Sequence, residues 1–374
     1  MSGGPPAGSP AAATPQRGPD APNPARLLVL AYAALIILAS TNPFTGWRDP
    51  QVPPWQFLLG AWPRFFTTFD LITNLLAYVP LGYLLVPALQ PRLKPGWAAV
   101  AAALMGCALS LCMESLQTYL PTRVASKLDL LTNSAGSLAG AACGLFYGNA
   151  LTLGGKLHRW RVRRIVRGRV GDAAIALLLA WLFGQLDPET QLFSQGDLRG
   201  LLGLPAPVDF TAQRFASIEA AVAGATVLAV GLLGWQSMRR PSPWPLLAVF
   251  GLGMGVKCLS GALLVRGAAW TQWLTPGALA GAAAGVVVCA LVLSRREMAS
   301  LRLPLAAIAL MAATALINLA PESPYLASTV RAWRAGNFLN FNGATRLAAA
   351  LWPFVALPFI MLLQARSAAA TDSG

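Results

Sequence analysis

Charge is scarce in this chain. Only 11% of its 374 residues are Asp, Glu, Lys or Arg, against 56% hydrophobic, and the mean hydropathy is +0.56. A soluble domain carries about 25% charged residues. So few charges cannot clothe a water-soluble globule of this length, and lipid must be the solvent for much of it. Histidine is nearly absent, with His158 the single copy, so no His/Cys cluster with zinc spacing exists and no metal is expected. Cysteine is present but badly placed for a disulfide framework. Cys107, Cys112, Cys143, Cys258 and Cys289 all lie in apolar runs, where a free thiol behaves as a small hydrophobe. The sequence also lacks a Gly-rich phosphate loop after a strand, a Gly-x-Ser-x-Gly elbow and a Cys–His pair. That removes nucleotide-driven transport, and no cofactor is expected. Acidic residues are few, 14 against 28 Lys and Arg, a net charge of +14. The cations fall between apolar runs, as topology signals do, so nucleic acid is not an expected partner.

What the chain has is apolar length. Runs near 26–41, 70–89, 97–119, 129–149, 171–186, 215–237, 243–265, 270–293, 303–320 and 346–365 predict an all-α, polytopic transmembrane helical bundle of about ten spans. The inner loops of an N-terminus-inside arrangement hold more Lys and Arg than the outer ones. The segment with Lys156, Arg159, Arg161, Arg163, Arg164, Arg167 and Arg169 would resist translocation. Both termini are therefore predicted to be cytoplasmic, and this basic loop reads as a topology anchor touching anionic lipid. Residues 1–24, rich in Pro, Ala and Gly, read as a disordered tail. The first run has no compact leader with a small-residue cleavage site and reads as a retained span. Tryptophans such as Trp47, Trp62, Trp273 and Trp352 sit where an aromatic belt would.

Outward-running spans end alike at Thr41-Asn42-Pro43, Leu186-Asp187-Pro188 and Asn318-Leu319-Ala320-Pro321. The returning spans begin near Asp70, Glu219 and Asn342, and Pro80 and Pro353 follow at similar distances. Gly136, Gly140 and Gly144 have counterparts in Gly277, Gly281 and Gly285. These matches suggest degenerate four-helix repeats in the same orientation, a known membrane-protein architecture.

Residues 69–148 hold the candidate chemistry. Asp70 and Asn74 share a helical face, as do Ser110, Glu114 and Gln117. Asp129 and Asn133 head a stripe that continues as Gly136, Gly140 and Gly144. Those glycines permit close helix contact, which would draw the polar ends of neighbouring helices together. Arg123 and Lys127 lie in or beside the short loop between the two helices. Charges at such depth are costly and face a partner or a water-filled cavity. Two readings stay open: a binding or catalytic pocket, and a structural salt-bridge network locking the hairpin. Further on, Lys257 stands alone in its span and is expected to pair with Glu219.

The stretch Phe69-Asp70-Leu71-Ile72-Thr73-Asn74-Leu75-Leu76-Ala77-Tyr78-Val79-Pro80-Leu81-Gly82 resembles the VanZ-like family pattern of an acidic residue, an Asn and then Pro-Leu-Gly. Glu114-Ser115-Leu116-Gln117-Thr118-Tyr119-Leu120-Pro121-Thr122-Arg123, followed by Asp129-Leu130-Leu131-Thr132-Asn133-Ser134-Ala135-Gly136, is similar to the family's central signature, E-x-x-Q-x-x-x-P-x-R and then D-x-x-x-N-x-x-G. The resemblance covers about a third of the chain. It implies a multi-pass protein of the bacterial inner membrane, in a family named for a link to teicoplanin-type glycopeptide resistance and without an assigned biochemical activity.

The expected layout is a tail at 1–24, a VanZ-like four-helix unit at 25–150, a basic cytoplasmic loop at 151–170, a second four-helix unit at 171–294, a C-terminal helix pair at 295–366 and a tail at 367–374. The expected function is binding or modification of an anionic envelope or lipid-linked substrate at an outward-facing pocket, with an influence on glycopeptide susceptibility. Asp70, Asn74, Gln117, Arg123, Lys127 and Asn133 would hold the substrate. In the enzymatic alternative, a transferase or hydrolase, Glu114 and Asp129 are the catalytic carboxylates, with Glu114 as acid or base. A lipid or small-molecule transporter is the third reading, disfavoured because the polar groups lie at the outer face rather than the midplane. Membrane lipids, a lipid-linked precursor or a glycopeptide are the expected partners.

Overall fold

Every apolar run drawn from the sequence falls on a helix in the computed structural model, which describes residues 24–41, 46–63, 66, 68–90, 92–147, 156–166, 168–264, 271–322 and 339–372. The helices are α1 (Pro24–Thr41), α2 (Gln56–Leu59), α3 (Thr68–Leu89), α4 (Pro95–Gln117), α5 (Lys127–Tyr147), α6 (Lys156–Arg164), α7 (Arg169–Gly184), α8 (Leu198–Leu201), α9 (Ala212–Gln236), α10 (Pro243–Leu264), α11 (Pro276–Ser294), α12 (Arg302–Leu319) and α13 (Leu339–Asp372). Local signals start several of them. Pro95 and Pro276 take a first-turn position, where a missing N–H costs nothing. Thr211 and Thr275 cap α9 and α11 by accepting from Arg214 N and Ala278 N. At the far end α13 runs past the expected boundary at 366 to Asp372, because Ala368-Ala369-Ala370 favours the helix.

Among the described residues, seven helical segments are long and apolar enough to cross a membrane, those of α3, α4, α9, α10, α11, α12 and α13; α1 and α7 give shorter apolar stretches. α5 has the length, but it carries Asp129, Thr132, Asn133, Ser134 and Ser137. Large apolar side chains such as Leu104, Leu138, Ile308 and Met361 are exposed, while Ser110, Glu114, Asn133 and Ser137 are buried. That distribution suits lipid outside and polar contacts within. The chain is an all-helical, multi-pass membrane protein.

Lipid tails are as apolar as leucine, so helices associate here by close packing rather than by hydrophobic expulsion. Glycines set the two tightest helix pairs. A Cβ on Gly136 or Gly140 of α5 would fall 2.0 Å from the carbonyl oxygens of Leu75 and Val79 in α3. In α11 a Cβ on Gly281 would lie 2.1 Å from Ala220 O of α9, and one on Gly285 2.5 Å from Gly224 O. The two pairs share one register, glycines four residues apart set against carbonyls four residues apart. α12 packs on α9, α13 on α7 and α12, and α1 on α3 and α13, which joins the two halves.

Basic residues cluster where α6 meets the α9–α10 turn. Ser237 O accepts from Val166 N and Arg164 O from Arg239 N, so the α6 segment and the α9–α10 turn lie together. Arg159, Arg163, Arg164, Arg239 and Arg240 line a surface hollow there with Trp160. These are residues that the sequence reading assigns to the cytoplasmic side.

The segment after α7 departs from expectation. The sequence predicts an external loop, but its first third turns inward, burying Asp187, Gln191, Leu192, Phe193, Ser194 and Gln195. A proline makes room for it. Pro353 in α13 cannot donate to Ala349 O, and Gly196 N donates to that carbonyl instead, at 2.9 Å. Asn318 then clamps both sides of the turn, donating to Gly196 O at 2.7 Å and accepting from Arg199 N at 2.8 Å. Phe193, at φ +61°, wedges between Trp181 and Phe250, with ring centroids 5.4 and 5.6 Å away. The expectation for the loop at 323–338 falls outside the described residues, as does that for the tail at 1–23.

Candidate functional site

The glycine seam between α3 and α5 brings their polar ends into contact. Asn74 Nδ2 donates to Asp129 Oδ1 at 2.7 Å, closing the two helices just above the Gly136–Leu75 crossing. From α4, Glu114 is 3% exposed and accepts from Ser126 N of the α4–α5 loop at 2.8 Å. Ser110, one turn below, accepts from Asn133 Nδ2 at 3.0 Å, leaving Asn133 Oδ1 buried without a partner. Gln117 Nε2 donates to Ser40 O at 3.2 Å, and Arg123 Nη2 to Ala39 O at 2.9 Å. Both bonds tie the α4–α5 hairpin to the last turn of α1, where helix carbonyls lack internal donors.

These residues share one cavity of about 520 Å³. Asp70, Asn74, Glu114, Gln117, Arg123, Asp129 and Asn133 all line it. So do Tyr32, Leu35, Ile36, Leu76, Ala77, Tyr78, Met113 and Val124, which makes the chamber part polar and part apolar. Glu114 lies in the fields of both Arg123 and Asp129. Arg123 sits in the loop, half-buried. Burial draws its guanidinium down to about 10, with Glu114 opposing the shift, so it stays charged at neutral pH. The resulting arrangement is one fixed cation, three carboxylates and three carboxamides around a space large enough for a small headgroup.

Of the residues singled out from the sequence as substrate-holding, Lys127 does not reach this space. Its Nζ donates to Gly60 O at 2.5 Å and lies 4.8 Å from the centroid of the Trp62 ring. It is the first residue of α5, where its ammonium finds a backbone carbonyl and a π face instead of entering the chamber. Tyr32 and Tyr78 were not legible as site residues. The Tyr32 hydroxyl donates to Ala77 O at 2.9 Å, beside the carbonyl of Leu76 that Pro80 leaves without its helical donor. The proline was the available signal, but nothing in the sequence pairs it with a tyrosine on another helix.

With that geometry in place, comparison with known proteins is informative for one stretch. The VanZ/LLP1 family model matches residues 26–148. Over this stretch the chain is VanZ-like. No curated protein and no solved structure matches the chain. The VanZ-like segment runs from Arg26 in α1 through α5 and holds every residue lining the cavity except Leu186.

In the remainder of the chain the expected Lys257–Glu219 pair does not form. Lys257, 1% exposed, donates to Asp187 O at 2.5 Å and Thr190 Oγ1 at 2.7 Å. Glu219 accepts from the Thr275 hydroxyl instead. The inward-turned segment supplies the lysine with nearer partners than the neighbouring helix does.

Proposed function

We propose that the VanZ-like unit binds the anionic headgroup of a lipid-linked or phospholipid envelope molecule from the outer leaflet of the bacterial inner membrane. The observation that carries this reading is the single cavity in which Arg123 and the amides of Asn74, Gln117 and Asn133 stand with apolar Leu35, Ile36, Leu76 and Met113. A guanidinium takes a phosphate or carboxylate with charge-assisted hydrogen bonds, and the apolar lining suits the attached chain. Because Asp70, Glu114 and Asp129 outnumber the guanidinium, the headgroup also carries hydroxyl, amide or amine donors for them. An influence on teicoplanin-type susceptibility follows if the bound molecule is a cell-wall precursor. The layout of about ten spans with both termini cytoplasmic belongs to this reading. So does a degenerate second copy at 171–294, supported by the shared glycine register, whose corresponding hairpin has Lys257 and not the Glu, Gln, Arg and Asp set.

The test is native mass spectrometry of lipids retained by the purified protein, comparing wild type with Arg123→Ala. Losing a charge-assisted contact costs about 1.5–3 kcal/mol, so the anionic species should fall roughly tenfold to a hundredfold while neutral lipids stay unchanged. Equal retention by both proteins sinks the proposal.

A second reading, an envelope transferase or hydrolase, is favoured by one feature. Glu114 is a buried carboxyl held by a single backbone amide, with a second carboxyl, Asp129, acting on it across the same cavity. Such a group can store or release a proton at a reacting centre. Turnover abolished by Glu114→Gln with retained lipid binding would select this reading over simple binding.

A further inference from the structure

A second polar cavity lies outside the VanZ-like segment, between the inward-turned residues 187–199, the end of α12 and the start of α13. Its volume is about 240 Å³. The backbone that forms it is held in place by Pro353, Asn318 and Gly196. A Cβ on Gly196 (φ +88°) would meet Pro353 Cγ and Thr314 Cγ2 at 2.9 Å. Such fixing of a loop suits a built site more than a passive connection.

The walls hold polar atoms that the protein does not satisfy. Gln195 is 2% exposed, yet neither its Oε1 nor its Nε2 has a partner; Gln191 Oε1 and Asp187 Oδ2 are likewise buried and unpaired. Buried polar groups in native proteins are nearly always hydrogen-bonded, and each orphan carries a desolvation penalty. Three of these four atoms are oxygens. Four carboxylates, Asp187, Glu189, Asp197 and Glu322, line the cavity against Arg199 and Arg346, with the Lys257 ammonium behind Asp187 and Thr190 as the third cation. The Asp197 carboxylate is occupied in capping α8 through Gly200 N. Arg346 is engaged by Glu189 at 3.5 Å and by Gly200 O. Burial, then the neighbouring Asp187, pushes the Glu189 carboxyl up to about 7, against the opposing pull of Arg346 and Lys257.

We propose that this cavity binds a primary ammonium group, whose three N–H donors meet Asp187 Oδ2, Gln191 Oε1 and Gln195 Oε1. The space fits a small amine or the headgroup of an aminolipid. The site is independent of the cavity in the VanZ-like unit and shares no residue with it.

The experiment is thermal unfolding of the full chain in nanodiscs of phosphatidylglycerol. One arm adds free ethanolamine, a second incorporates phosphatidylethanolamine, and controls add glycerol or inorganic phosphate. Saturating ligand should raise Tm by roughly 2–4 °C. A response to free ethanolamine identifies a soluble amine, and a response only to the aminolipid identifies a headgroup; either supports the proposal. Gln195→Met and Gln191→Met should weaken the response at least tenfold in ligand concentration. They should also leave the ligand-free Tm unchanged or higher, since an unsatisfied amide gives way to an apolar group of similar shape. If Tm responds to neither amine form, or glycerol or phosphate raises it equally, the proposal is overturned. A ligand-free Tm that falls in both glutamine variants, with an undiminished amine response, also overturns it and makes these side chains structural.

Discussion

Alanine at Gly140 is expected to cost about 3 kcal/mol or more, enough to deplete folded protein from the membrane fraction. The added methyl would fall 2.0 Å from Val79 O, 2.8 Å from Val79 C and 2.9 Å from Tyr83 N. All three are backbone atoms of α3, so no side-chain rotamer can relieve the overlap and the helices must part. Overpacking of cores typically costs about 1–3 kcal/mol when side chains can adjust, and here they cannot. Against a total stability of about 5–15 kcal/mol the loss is large. Parting α3 from α5 also stretches the Asn74–Asp129 bond, so ligand binding should fail along with folding. Gly251→Ala is the control, because nothing lies within 4 Å of a Cβ there. Monodisperse yield and Tm of the two purified variants decide the matter, and equal values would mean that α3 and α5 do not cross as closely as described.

Lys257→Met is expected to destabilise by about 3–5 kcal/mol at neutral pH, the usual consequence of removing one member of a buried charged pair. The ammonium is fully enclosed and bonds Asp187 O and Thr190 Oγ1, with the Asp187 carboxyl itself only 1% exposed. Burial already pushes that carboxyl above its ordinary value even with Lys257 beside it. Without the lysine it rises further, and the native state then prefers the protonated acid. Because a raised acid contributes stability that is lost as pH climbs through the folded-state value, the penalty should grow from acid to neutral pH. Adding Asp187→Asn should recover a large part of it, a non-additivity diagnostic of direct coupling. Strict additivity between the two changes would show that the lysine serves Thr190 and the backbone alone.

Much of the site was legible because membrane helices make polar residues conspicuous. Asp70 with Asn74, Ser110 with Glu114 and Gln117, and Asp129 with Asn133 each repeat at helical spacing, and the glycines of α5 announce where a second helix approaches. Spacing along one helix says nothing about what a side chain meets across a loop. Lys127 lies beside the polar stripe's first residue in the sequence, yet it is drawn to Trp62 and Gly60, residues distant in sequence. Lys257 has Glu219 as the obvious partner on an adjacent span, but Asp187 and Thr190 displace it because their segment turns inward. That turn depends on a carbonyl freed by Pro353, more than 150 residues downstream of Gly196. The proline was visible in the sequence, while the amide it left room for was not.

The central claim is that the cavity of the VanZ-like unit opens outward and holds an amphiphile at Arg123. Val124 lines that cavity and is 86% exposed, so the most direct test is the rate at which a membrane-impermeant maleimide modifies Val124→Cys in intact cells, with the parent protein as baseline for the native cysteines. The account predicts modification without permeabilisation, and a several-fold faster rate when Arg123→Ala releases the occupant. Modification only after the membrane is opened, or a rate indifferent to Arg123→Ala, would contradict it.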